Sequence, residues 1–168
     1  MALFASEFHN LQDLFVQQLK DLYDAEQQLT KALPQMAEAA SSADLRDAFN
    51  KHWQQTQEHV RRLEQVFRGI NCEPESESCP AMKGMIKEGQ DMMAAKGDPA
   101  VRDAGLIAAA QRAEHYEIAG YGTVRTFAQQ LGRSDLAQIL QQTLDEEGQT
   151  DKTLTSLAQR GINQQAVA

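Results

Sequence analysis

The 168-residue chain carries 16 Lys+Arg against 24 Asp+Glu, a formal charge of −8 spread along its length with no basic block, which argues against a nucleic-acid-binding surface. Its 42% apolar share is too high for a disordered chain, and no window approaches the roughly 18 apolar residues of a membrane span. One soluble domain over 1–168 is expected, and cytoplasm is its natural compartment: MALFASEFHNLQDLF has no basic region followed by an apolar run, and two cysteines are too few for a disulfide scaffold.

With 10 Gly and 4 Pro in the whole chain, and Ala, Gln, Glu and Leu dominant, the composition is that of long helices. The spacing predicts a first helix over 8–39, with Phe15, Leu19, Leu22, Glu26, Leu29, Leu33 and Met36 on one face. Pro34 should bend it locally at the expense of one backbone hydrogen bond. A second helix over 43–68 follows Ser41-Ser42, which can cap it; its stripe is Phe49, His52, Thr56, His59, Leu63 and Val66, and Gly69 ends it.

Residues 70–79 read as a polar connection, and Pro80 opens a short crossover helix over 80–95. The next long helix, 99–131, starts after the cap Asp98 and stops at Gly132, with Ala110, Glu114, Glu117, Tyr121, Val124 and Ala128 on one face. The last, 134–160, carries Leu136, Leu140, Thr143, Glu147, Thr150, Leu154 and Leu157, and is expected to close at Arg160-Gly161 as the second closes at Arg68-Gly69. Two short joints and one long connection predict an all-α, ferritin-like four-helix bundle with a crossover helix between the second and third long helices. An irregular five-helix domain is the competing arrangement.

A carboxylate stands where each of three apolar stripes calls for a leucine: Glu26, then Glu114 and Glu117, then Glu147. A buried carboxylate is costly unless it is paired or bound to metal. The offsets repeat as well, since Gln55 and His59 stand at +29 and +33 from Glu26, while Glu147 and Asp151 stand at +30 and +34 from Glu117. The two hairpins read as degenerate copies. Glu26, His59, Glu114, Glu117, Glu147 and Asp151 would then bring oxygen ligands and one imidazole to one level of the bundle, the donor set of a two-metal iron or manganese site, with zinc also open.

The bland readings stand beside that one. Asp145-Glu146-Glu147 could be a solvated acidic run, His59 a core histidine, and Glu58 a partner of Arg61 or Arg62 on the outer face. His52 reads as packing or support, His115 as a surface or supporting group, and Tyr23 and Tyr121 either as core tyrosines or as partners of ligand carboxylates. Cys72 and Cys79 are either free thiols or a pair. No glycine-rich phosphate loop, Cys-x-x-Cys or nucleophile elbow is present.

The segments LKDLYDAEQQLTKALPQMAEAA (19–40), CPAMKGMIKEG (79–89), RDAGLIAAAQRAEHYEIAGYGTVRTFAQQLG (102–132) and TLDEEGQTDKTLTSLA (143–158) carry a resemblance to a known family. The chain resembles the bacterial YciE/YciF stress-associated proteins of the ferritin-like superfamily. That resemblance implies a homodimer and a di-iron type of protein tied to stress, with Glu26, Glu114, Glu117, Glu147 and Asp151 on the family's acidic positions. Gln55 departs from the glutamate usual there, leaving the second helix's ligand to His59 or Glu58. The function expected is a metal-binding stress protein that reacts with oxygen or peroxide; the alternative is a non-enzymatic stress or interaction protein with a degenerate site.

Overall fold

The helices begin where the sequence supplies a cap. In the computed structural model, which describes residues 7–167, they are α1 (Leu11–Ala39), α2 (Ala43–Gly69), a short α3 (Pro80–Met93), α4 (Pro99–Gln130) and α5 (Ser134–Leu157). A π-helical turn, Ala158–Ile162, and a short α6 (Asn163–Val167) complete the chain. The first six residues of the segment read for an export signal lie outside the described residues. Asn10 caps α1 by accepting from Asp13 N at 2.9 Å, so α1 starts at Leu11 and not at 8. Ser42, Cys79 and Asp98 accept in the same way at the starts of α2, α3 and α4, with Pro80 and Pro99 in the first turns.

Gly69 ends α2 as expected, with Asn71 (φ 55°) the left-handed residue beyond it, and Gly132 takes the left-handed conformation after α4 (φ 74°). Gly69 serves packing: a Cβ there would lie 2.6 Å from Leu136 Cδ2. Arg160-Gly161 does not close the last helix. The wider turn carries the chain through it and places Ile162 in the core. The crossover helix and α4 also end earlier than expected, at Met93 and Gln130.

α1 runs up, α2 down, and the chain returns along α1 before α4 runs down and α5 up. The return is tethered: Glu77 N donates to Lys20 O at 3.4 Å, Cys79 N to Asp24 Oδ2 at 2.8 Å, and Gln28 Nε2 to Cys79 O at 3.3 Å. α3 therefore packs on α1 and α4. At the top, buried Asp103 of α4 accepts from Ser41 N (2.9 Å) and Ser42 N (2.7 Å), fastening the α1–α2 turn to the second hairpin. Cys72 and Cys79 are free thiols. No helix among the described residues is long and apolar enough to cross a membrane.

The core comes in two blocks. Leu29, Leu33, Leu45, Phe49, Leu106 and Leu154 pack in the upper one; Phe15, Leu19, Leu63, Phe67, Val124 and Leu140 pack in the lower. Between them every long helix places buried polar side chains: Glu26 from α1, His52, Thr56 and His59 from α2, Glu114 and Glu117 from α4, Thr143 and Glu147 from α5.

Pro34 lies inside α1 without ending it. It has no N–H for the carbonyl of Thr30, and Trp53 of α2 fills the gap, its Nε1–H donating to Thr30 O at 3.0 Å. Trp53→Phe should therefore cost about 1–2 kcal/mol in urea unfolding. In a Pro34→Ala background, where the helix can bond its own carbonyl, the same change should cost clearly less; equal costs in both backgrounds would refute the pairing.

Candidate metal centre

Four helices present their polar residues at one level because each has a buried stripe with a period near 3.6, and the polar positions fall in mid-stripe. Glu26, His59, Glu114, Glu117 and Glu147 all arrive there and are all buried. Two sets of three have ligand atoms within 4.8 Å of one another: Glu26, His59 and Glu147, and His52, Glu117 and Glu147. Glu147 belongs to both.

His59 Nδ1 sits 3.3 Å from Glu26 Oε1 and 2.9 Å from Glu147 Oε1, while His52 Nε2 is 3.1 Å from Glu114 Oε1 and 4.0 Å from Glu147 Oε2. These contacts are close but not aligned as hydrogen bonds. His52 Nε2, His59 Nδ1, Glu26 Oε2, Glu114 Oε2, Thr56 Oγ1 and both oxygens of Glu117 and Glu147 have no hydrogen-bond partner. Elsewhere among the described residues only Arg102 Nε and Arg125 Nε share that condition. Polar atoms that converge on one point without bonding one another suit a cation between them far better than a closed hydrogen-bond network.

Around this point the partners are well made. Glu146 accepts from His59 Nε2 at 2.8 Å and is clamped by Arg62, whose two terminal nitrogens donate to it at 2.8 and 2.9 Å. A carboxylate can only accept, so the Nε2 proton is fixed and Nδ1 faces the acids. Tyr121 O–H donates to Glu26 Oε1 at 2.5 Å.

Burial raises the pKa of Glu26 and Glu147 and pushes that of Glu117 well up, where Glu26, Glu147 and Glu114 add to it. Burial also lifts Glu114 to about 8. It lowers His52. Burial pulls on His59 as well, but Glu26, Glu146 and Glu147 outweigh it and hold the ring protonated. The bonds from His59 and Arg62 keep Glu146 at about 2.

Asp151 is not brought to the centre. Four residues along a helix turn its direction about 40° past that of Glu147, and its carboxylate instead accepts from Gln111 Nε2 at 2.8 Å and faces the exposed His115 at 3.4 Å. Gln55 lines a shallow groove between α2 and α5, and Glu58 pairs with Arg61 on the outside at 2.8 Å. His52, whose place in its stripe suggests only packing or support, stands among the acids instead.

The repeat register explains these placements. Thr56 and His59 stand at +30 and +33 from Glu26, and Glu147 and Thr150 stand at the same two offsets from Glu117. His52 and Thr143, both buried, also match, each at +26 from its glutamate. One hairpin thus offers Thr-x-x-His and the other Glu-x-x-Thr, where the di-metal bundle pattern has Glu-x-x-His in both.

Comparison with known proteins places the chain in a family. The profile of the domain of unknown function DUF892 matches residues 10–167. Protein YciF of Escherichia coli strain K12 is 43% identical over 157 residues, 93% of this chain and 95% of that protein. The chain belongs to the YciE/YciF (DUF892) family, within the ferritin-like superfamily. The crystal structure of the E. coli stress protein YciF superposes with a TM-score of 0.89, covering 93% of this chain and 99% of that one. YcfI of Rhodopseudomonas palustris gives 0.87 at 40% identity, over 91% and 98% of the two chains. A Xanthomonas campestris protein at 20% identity and a TM-score of 0.70, over 88% and 90%, shares the fold. The all-α bundle with its crossover helix is thus the architecture of the YciE/YciF family.

Unpaired acids packed together oppose folding of the metal-free chain. Replacing Glu117, neither of whose oxygens is bonded, by the apolar Met should raise its stability by about 1–4 kcal/mol in urea unfolding with chelator present. A loss of stability would mean that Glu117 is satisfied without a cation.

Proposed function

We propose that the polar layer is a two-cation carboxylate–histidine site, one position formed by Glu26, His59 and Glu147 and the other by His52, Glu117 and Glu147. The observation that carries the reading is Glu147: two donor groups share one carboxylate, and carboxylates can bridge cations. Glu114, beside His52, supplies a further oxygen. Carboxylate oxygens with imidazole nitrogens suit iron or manganese, with zinc within reach of the same donors. Iron held there would supply one-electron chemistry between its +2 and +3 states, fitting a stress protein that reacts with oxygen or peroxide.

The chain's own residues prepare that chemistry. Arg62 and Glu146 fix the His59 ring and its Nε2 proton, so only Nδ1 remains for coordination. A cation at that position would have to displace the Nδ1 proton that the surrounding acids hold on His59, and burial lifts the neighbouring Glu114 to about 8. Tyr121 fixes the orientation of Glu26. The apolar blocks above and below exclude water, which strengthens every charge interaction in the layer.

Metal content measured after purification without chelator, from cells supplied with iron and manganese, tests the reading. Near two ions per chain are expected. Glu147→Gln should lose both and Glu26→Gln one; metal-free native protein, or content unchanged in Glu147→Gln, would overturn the site and favour a structural role. Removing the brace on His59 with Glu146→Gln should weaken metal binding by about 10–100-fold in a competitive titration with the ligand set intact.

A further inference from the structure

A narrow crevice opens between α1, α3 and α4 and reaches the polar layer at Glu114. Its cavity volume is about 20 Å³, room for one small molecule. Met36, Met85, Ile86 and Met93 line its sides. Gln35 and Gln90 lie at its exposed rim, and inside them Glu114 is the one polar residue it touches. Glu114 is 1% exposed, its Oε2 has no partner, and its Oε1 lies 3.1 Å from His52 Nε2.

Small residues keep the crevice open. At Gly89 an added Cβ would meet nothing nearer than Ala109 Cβ at 4.0 Å, so packing does not require glycine there, while its place inside α3 disfavours it. Ala109, Ala110 and Ala113 continue the open surface along α4.

The opposite edge of the bundle differs. Between α2 and α5 a groove lined by Lys51, Gln55, Gln149 and Thr150 leads toward the same layer, and Thr150 Oγ1 lies 3.4 Å from His52 Nδ1. The His52–Glu114 pair therefore has an apolar approach on one side and a polar one on the other.

Resting on the metal reading above, we propose that the α1–α3–α4 crevice admits a small uncharged apolar molecule to Glu114 and the metal centre, dioxygen being the oxidant of that class, and that hydrogen peroxide does not pass by it. Dioxygen has no hydrogen bonds to surrender in such walls. Peroxide does, and each hydroxyl left unpaired lowers its occupancy by about tenfold or more. Flexible methionines can part for a molecule wider than the resting gap.

Xenon is the probe of the crevice itself, since apolar cavities take it up from pressurised gas. Crystals of the metal-free protein should show xenon between Met85, Met93 and Ala110, lost in Gly89→Leu, or in Ala110→Met if the first variant folds poorly. In iron(II)-loaded protein the same substitution should slow oxidation by dissolved oxygen about tenfold, leaving oxidation by added peroxide within about twofold. No xenon in the native crevice, an unchanged oxygen rate in the filled variant, or equal slowing of both oxidants overturns the proposal. Because xenon uptake needs no metal, its failure leaves the metal site standing. A native protein that binds xenon but no metal would sink the site and leave the crevice.

Discussion

Four carboxylates and two imidazoles occupy one buried layer, and that layer sets the terms for the rest of the bundle. An acid without water or a counterion carries a desolvation cost that packing alone does not remove. The chain answers in stages. His59 stands among the acids, Arg62 and Glu146 hold it from the rim, and Tyr121 takes one oxygen of Glu26. The oxygens still unpaired converge on one another, and it is these that the proposed cations would satisfy. Two apolar blocks, one on each side, supply the cohesion that the layer withholds.

That cohesion is fastened at particular points. Asp103 joins the α1–α2 turn to α4, and Cys79 joins the crossover to α1. The crossover also breaks the symmetry of two similar hairpins. With α3 laid against α1 and α4, one side of the layer lies behind methionine and alanine while the other meets glutamine, lysine and threonine.

Much of this is legible in the sequence, for a definite reason. Helical periodicity holds along the whole of each long helix, so a glutamate in a leucine stripe can be placed on the inner face from its spacing. Glu26, Glu114, Glu117 and Glu147 follow from that argument alone. Asp151 does not, because four residues overshoot one turn and three fall short of it, and hydropathy does not choose between them. The repeat would have chosen: aligned at +30 and +33 instead of +29 and +33, it selects Thr56 and Thr150 and draws attention to His52. Threonine on a buried stripe is chemically quiet and histidine is ambiguous, so neither announces a site. Glu146 hides inside an acidic run. The π-helical turn over Ala158–Ile162 leaves no local mark, since only the burial of Ile162 calls for it.

The bond from Trp53 to Thr30 joins α2 to α1 beside the layer, and Trp53 is the only tryptophan in the chain. It immediately follows His52 in sequence, and the carbonyl it grips lies about one helical turn beyond Glu26. The molecule thus carries a single indole beside its own centre, polarised by one defined acceptor. Indole emission from the unlabelled protein, excited at the red edge where tyrosine does not absorb, becomes a local signal for the α1–α2 seam, free of contributions from any second indole.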